Sequence, residues 1–186
     1  LNVTDAQLEQ FVGYFTSLHD IGKINYYFQA MQEDRKPEME AAGLAEMDLP
    51  DLHFRHERES FLALKKIWDP IDHRSGVKLA EILGAHHQGK RTSLTQPQGS
   101  PPWEALQQAF EGEMRQRFWH SAFTFPKLEK SSESAVSAIL LGIVILSDWI
   151  ASSDCFDTAE AQADLREYAR LQAAQFLQWS GLHATD

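Results

Sequence analysis

The longest apolar run in the chain, Ala135 to Leu146, extends for about 12 residues before Ser147 and Asp148 interrupt it. A bilayer span needs roughly 20 such residues, so the run reads as a buried helix around which other elements pack. Helical signals dominate the rest of the chain, and no stretch of strict apolar–polar alternation argues for a sheet. The expected fold is all-α: a helical bundle around this central buried helix, with long connecting loops. At 186 residues the chain suits one domain, 1–186.

The first helix is expected to start at Thr4 or Asp5 and to carry Leu8, Phe11, Val12, Phe15 and Leu18 inward. It reaches His19 and Asp20, and Gly22 ends it. From Glu33 to Asp51 the chain is charged and punctuated by Pro37, Gly43 and Pro50, a long connection with one short helix. Further helices are read over His56 to Trp68, stopped by Pro70, and over Gly76 to His87. Gln88 to Pro102 is a Gly-, Ser-, Thr-, Gln- and Pro-rich loop. Helices are then expected over Trp103 to Phe118, Ser134 to Ala151 and Asp157 to Trp179, with Trp103, Trp119 and Trp179 in the core.

Four segments carry chemistry: His19-Asp20 in LHDIGK, His56 in FRHERES, His86-His87 in GAHHQGK, and Asp148 in LSDWIAS. Each lies at or near the end of an apolar helical segment, where side chains converge on a cleft. Adjacent helical residues point about 100° apart, so His19 and Asp20 both line such a cleft without chelating one ion in the same way. A carboxylate has two oxygens and can bridge two ions, each served by a neighbouring imidazole. His86 and His87 repeat the arrangement. A lone His-Asp pair is usually accidental; H-D, H, H-H and D in that order is far more specific. The single cysteine, Cys155, excludes a multi-thiolate site and fits a reducing cytoplasm. Imidazole with carboxylate suits transition ions better than Mg or Ca. Paired ions about 3.5–4 Å apart clamp a phosphodiester and activate water for in-line attack.

In order and context these motifs resemble the HD superfamily of metal-dependent phosphohydrolases, and within it the nuclease domain of the type I CRISPR-associated helicase–nuclease. The resemblance includes HDIGK followed by Phe28-Gln29, the His-Glu start of the next helix, the HH doublet and Asp148-Trp149. It implies an HD-domain bundle with His19, Asp20, His56, His86, His87 and Asp148 as ligands of two divalent transition-metal ions (Mn, Ni, Co or Fe). Asp20 would bridge and share the catalytic role with Lys23, a phosphate contact. His19 and Asp148 would hold one ion; His56, His86 and His87 would hold the other. Such domains usually supply one more histidine upstream, and residues 1–18 contain none. The chain is therefore expected to be an N-terminally incomplete fragment of a larger protein, with an ATP-using helicase following in cis or acting in trans.

Beyond the ligands, Ser147, beside Asp148, is a candidate to hydrogen-bond a metal ligand, and Lys90, Arg91 and Tyr27 are candidate DNA contacts. His53, His73, His120 and His183 lack such context and read as surface or core histidines. A net charge of −10 counts against autonomous DNA binding. Recruitment by the RNA-guided surveillance complex (Cascade) would resolve this, delivering single-stranded DNA to a cytoplasmic nuclease that needs no membrane. The rivals are an HD phosphohydrolase acting on nucleotides or cyclic nucleotides, and a non-catalytic HD interaction module.

Overall fold

The structure is a computed structural model that describes residues 1, 4–47, 54–87, 100–119, 124–153 and 165–181. Among these the regular secondary structure is helical throughout, as expected of an all-α bundle. The chain forms two compact units, Leu1–Leu141 and Gly142–Asp186.

In the first unit, helix α1 (Asp5–Ser17) begins where Gln7 folds back to accept the Thr4 N–H at 3.0 Å, closing one of the donors a helix start leaves open. A 3-10 turn (Ile21–Lys23) follows, then the single-turn helix α2 (Tyr26–Gln29). The charged stretch beyond it holds a 3-10 turn (Glu33–Arg35) and the short helix α3 (Lys36–Ala41). Helix α4 (His56–Trp68) has the limits expected of it.

Helix α5 (His73–Leu83) is displaced from the span read from sequence, Gly76 to His87. Its start moves back because the Asp72 carboxylate accepts the Ser75 N–H at 2.8 Å and caps the helix there. It stops at Leu83, leaving His86 and His87 in the turn beyond. Helix α6 (Pro101–Phe118) takes both prolines into its first turn, where a missing N–H costs nothing.

The core of this unit is aromatic. Phe11, Tyr14, Phe15 and Leu18 line one face of α1 and are at most 1% exposed. Trp68 of α4 stacks on Phe15 at 6.4 Å and packs beside Tyr14 at 6.2 Å. Trp119 meets Phe11 and Tyr14 edge-on, and Phe125 meets Trp68. The Tyr14 hydroxyl accepts from Trp68 Nε1 at 3.1 Å and donates to the buried Glu111 carboxylate. Burial and the neighbouring Glu111 raise the Tyr14 pKa far above its ordinary value, keeping this donor protonated. A second cluster joins Tyr26, Met39 and Trp103, whose indole N–H donates to Leu44 O at 2.9 Å.

Helix α7 (Glu133–Ala151) crosses the boundary between the units, and α8 (Leu165–Ser180) lies in the second. The helix built on the apolar run extends at both ends to 19 residues, which makes it long and apolar enough to cross a membrane, with a mean hydropathy of 2.0. The core helix of a water-soluble protein meets the same two criteria. Leu140 and Val144 are its buried side chains, while Ile139 and Trp149 are 63% and 65% exposed. A helix apolar on every side presents more surface than the described residues cover. In α8, Phe176 is buried and packs 6.1 Å from Trp179, but Trp179 is itself 81% exposed, against the expectation of a core tryptophan.

Candidate metal centre

The histidine–aspartate pair is not helical, as the sequence reading had it, but lies in a turn between two buried anchors. Helix α1 closes at Ser17 with Leu18 as its cap, and Leu18 and Ile21 are 0% and 1% exposed. Between them the chain must present His19 and Asp20 together. The first turn of α4 approaches so closely that a Cβ on Gly22 would lie 2.0 Å from His56 O, and only glycine permits this approach. Gly84 does the same for the second histidine segment, where a Cβ would sit 2.6 Å from Phe61 Cβ.

These approaches gather three imidazoles around one carboxylate, with a fourth beside them. Asp20 Oδ2 lies 3.2 Å from His19 Nε2 and 2.6 Å from Lys23 Nζ. Asp20 Oδ1 lies 3.2 Å from His56 Nε2 and 3.6 Å from His86 Nε2. His87, exposed, places its Nε2 3.1 Å from that of His56. The donor atoms form two triads, His56–His86–His87 and His19–Asp20–His86, each with its atoms within 4.8 Å of one another. His86 belongs to both.

Backbone carbonyls set the tautomers of two of these rings. His19 Nδ1 faces Thr16 O at 2.8 Å and His86 Nδ1 faces Leu83 O at 2.6 Å. A carbonyl only accepts, so each Nδ1 donates, and in the neutral ring Nε2 carries the lone pair. His86 Nε2 is buried and makes no hydrogen bond; its lone pair confronts a carboxylate oxygen beyond hydrogen-bond reach. Two electron-rich atoms held so are mutually repulsive, and a cation between them removes the conflict. The donor set of imidazoles and a carboxylate without sulfur suits a divalent transition metal.

Burial raises the pKa of Asp20, but the Lys23 ammonium at 2.6 Å counters it, and the carboxyl is held well below the usual range. It is a carboxylate whose Oδ2 accepts from Lys23 while its buried Oδ1 has no hydrogen-bond partner.

Ser60 lies outside the motifs that carry the ligands, yet it belongs to the site. Its hydroxyl donates to His19 O at 2.6 Å and accepts the Gly22 N–H at 2.9 Å, tying the histidine–aspartate turn to α4. Position is the signal: Ser60 lies four residues after His56, on the same helix face.

Of the remaining candidates, Lys23 pairs with Asp20 and lies 5.7 Å from the centre of the Phe28 ring. Tyr27 packs between Tyr26 and Phe54, with ring centres at 5.6 and 6.3 Å. Asp148 and Ser147 stand near the end of α7 in the second unit, where Asp148 Oδ1 accepts from Ser152 Oγ at 3.4 Å. Lys90, Arg91, His53, His120 and His183 lie outside the described residues. His73 is at the surface and pairs with Asp69 at 2.5 Å.

A family model described as the Cas3 HD domain matches residues 1–156. Among solved structures, one described as a CRISPR-associated protein superposes with a TM-score of 0.80 at 22% sequence identity. That match covers all of this chain and 22% of the other, so the chain corresponds to a small part of that protein. No curated protein matches the chain.

Proposed function

Since the chain belongs to the Cas3 HD-domain family, we propose that it is a metal-dependent nuclease that hydrolyses phosphodiesters of single-stranded DNA in CRISPR interference. The observation that carries this reading is the buried His86 Nε2 facing Asp20 Oδ1 at 3.6 Å, a pair of lone pairs arranged for a cation. In the proposal the triads His56–His86–His87 and His19–Asp20–His86 would hold divalent ions, with Asp148 a further ligand implied by the family resemblance alone. Mn, Ni, Co or Fe fits these donors.

Such ions, when bound, would activate water for attack and offset charge on the scissile phosphate. The chain's own groups prepare that site. Thr16 O and Leu83 O fix the rings of His19 and His86 so that each Nε2 faces inward. Lys23 keeps Asp20 ionised at 2.6 Å and, being 38% exposed, presents an ammonium to an incoming phosphate. Ser147 supports Asp148, and Tyr27, Lys90 and Arg91 contact the strand.

An acidic chain of net charge −10 gathers DNA poorly by itself. Delivery by an RNA-guided surveillance complex, with an ATP-driven helicase in cis or in trans, answers this in the cytoplasm. The same charge favours the competing reading of an HD phosphohydrolase acting on nucleotides.

Incubation of circular single-stranded DNA with and without Mn or Ni, beside mononucleotide and cyclic-nucleotide turnover, separates the two. The proposal expects metal-dependent loss of the circle and none with Asp20→Ala of unchanged helical content. Turnover of nucleotides with the circle intact would favour the rival, and full activity in Asp20→Ala would remove the bridging role.

A further inference from the structure

Beside the cluster lies a cleft of about 270 Å³ lined by Phe28, Gln29, Met31, Gln32 and Arg35. We propose that it is a nucleobase subsite, in which the base adjoining the scissile phosphate stacks on Phe28. The inference rests on the nucleic-acid reading above and adds where the strand is gripped.

Three consecutive aromatics make up most of α2, and the structure assigns them different surroundings. Tyr26 is buried with Met39 and Trp103, and Tyr27 packs against that cluster. Phe28 is half-buried, lines the cleft and meets the ring of His56 with centres 5.6 Å apart. Its neighbour in the cleft, Met31, is 59% exposed, an apolar surface whose flexible thioether adapts to a flat ligand.

The polar edge of the cleft is prearranged. Gln29 Nε2 donates to Lys23 O at 2.7 Å, and Gln29 Oε1 accepts from Arg35 Nη1 at 2.5 Å. The amide is thereby fixed, and the exposed Arg35 retains donors for the acceptor edge of a base or for a phosphate. Aromatic face, apolar neighbour and fixed polar edge are what an unpaired base needs, and stacking of this kind tolerates any base.

The link to the reacting centre is short. Lys23 Nζ is 2.6 Å from Asp20 Oδ2 and 5.7 Å from the Phe28 ring centre. A phosphate drawn to Lys23 at the cluster leaves its own nucleoside beside Phe28. The scissile bond is then chosen by where a base seats, without regard to which base it is.

The test is equilibrium binding of a labelled oligothymidylate and of an abasic strand of equal length, followed by fluorescence anisotropy in EDTA, where no metal-dependent cleavage runs. Wild type is expected to bind the thymidylate about tenfold more tightly, within the range of one stacked base. Phe28→Ala should reduce that preference to near unity. Phe28→Leu keeps apolar bulk without a π face; it should do the same, and it decides the matter if the alanine variant does not fold. Equal binding of both strands by wild type, binding of neither, or a preference retained in Phe28→Leu would overturn the subsite. Cleavage assayed with Mn on the same preparation is an independent readout. A base preference without cleavage leaves the subsite standing and removes the nuclease; cleavage without the preference does the reverse.

Discussion

Ser60 ligates nothing in the proposed centre, yet its hydroxyl joins the backbone of the histidine–aspartate turn to the helix that supplies His56. Replacing it with alanine removes the partner of the buried Gly22 N–H and of the partly buried His19 O, at a cost of about 1–3 kcal/mol. Loss of a supporting contact of this kind weakens metal affinity by about 10–100-fold. Urea unfolding and calorimetric titration of Ser60→Ala with Mn check both effects, and wild-type values in both would show that the tie does not position the turn. The contrast with the histidines explains what could be read in advance. Metal chemistry needs particular side chains, so His19, Asp20, His56, His86 and His87 were visible as types in an order. Ser60 matters because Gly22 lets two backbones meet, and a serine within a helix announces nothing of the kind. Which of the aromatics Tyr26, Tyr27 and Phe28 faces the cleft was hidden for the same reason, since successive positions on one turn of helix divided between core and cleft.

Among the elements, α4 was legible to its ends because His56 opens the apolar pattern and Pro70 forbids its extension. The start of α5 was not, because its first turn, His73 to Ser75, is polar and the apolar positions begin only at Val77. The Asp72 cap sets that start, and its loss should be measurable. The Ser75 backbone N–H, opposed slightly by burial, lowers the Asp72 pKa below 3.8. A depressed folded-state pKa means the ionised carboxylate stabilises the fold. That contribution is present above 3.8 and disappears as pH falls through the folded value. Asp72→Ala should therefore lower stability by about 0.5–2 kcal/mol at neutral pH. The gap from wild type should close as the solution is acidified below 3.8. Urea midpoints across that range test it; a gap unchanged by acid would show that the charged cap contributes nothing. For α7 composition predicted burial; among the described residues Leu140 and Val144 are buried while Ile139 and Trp149 are exposed, because composition gives no account of how much neighbouring surface is available to cover a helix.

For the molecule as a whole, the all-α architecture followed from helical periodicity and the absence of alternation, while the concentration of ligands followed from two close approaches that only glycine allows. The result is a buried aromatic core carrying a cluster whose electron-rich atoms oppose one another unless a cation joins them. That conflict couples metal binding to the fold: at free metal one hundred times Kd, a bound ion stabilises the native state by about 2.7 kcal/mol. Calorimetric titration of Mn into the wild type and Asp20→Ala is the most direct test, because it asks about the centre without requiring DNA, helicase or recruitment. Saturable binding by the wild type, weakened at least about tenfold in Asp20→Ala, is the predicted result. Equal affinity in the two proteins, or no binding by the wild type, would contradict a metal centre built on Asp20.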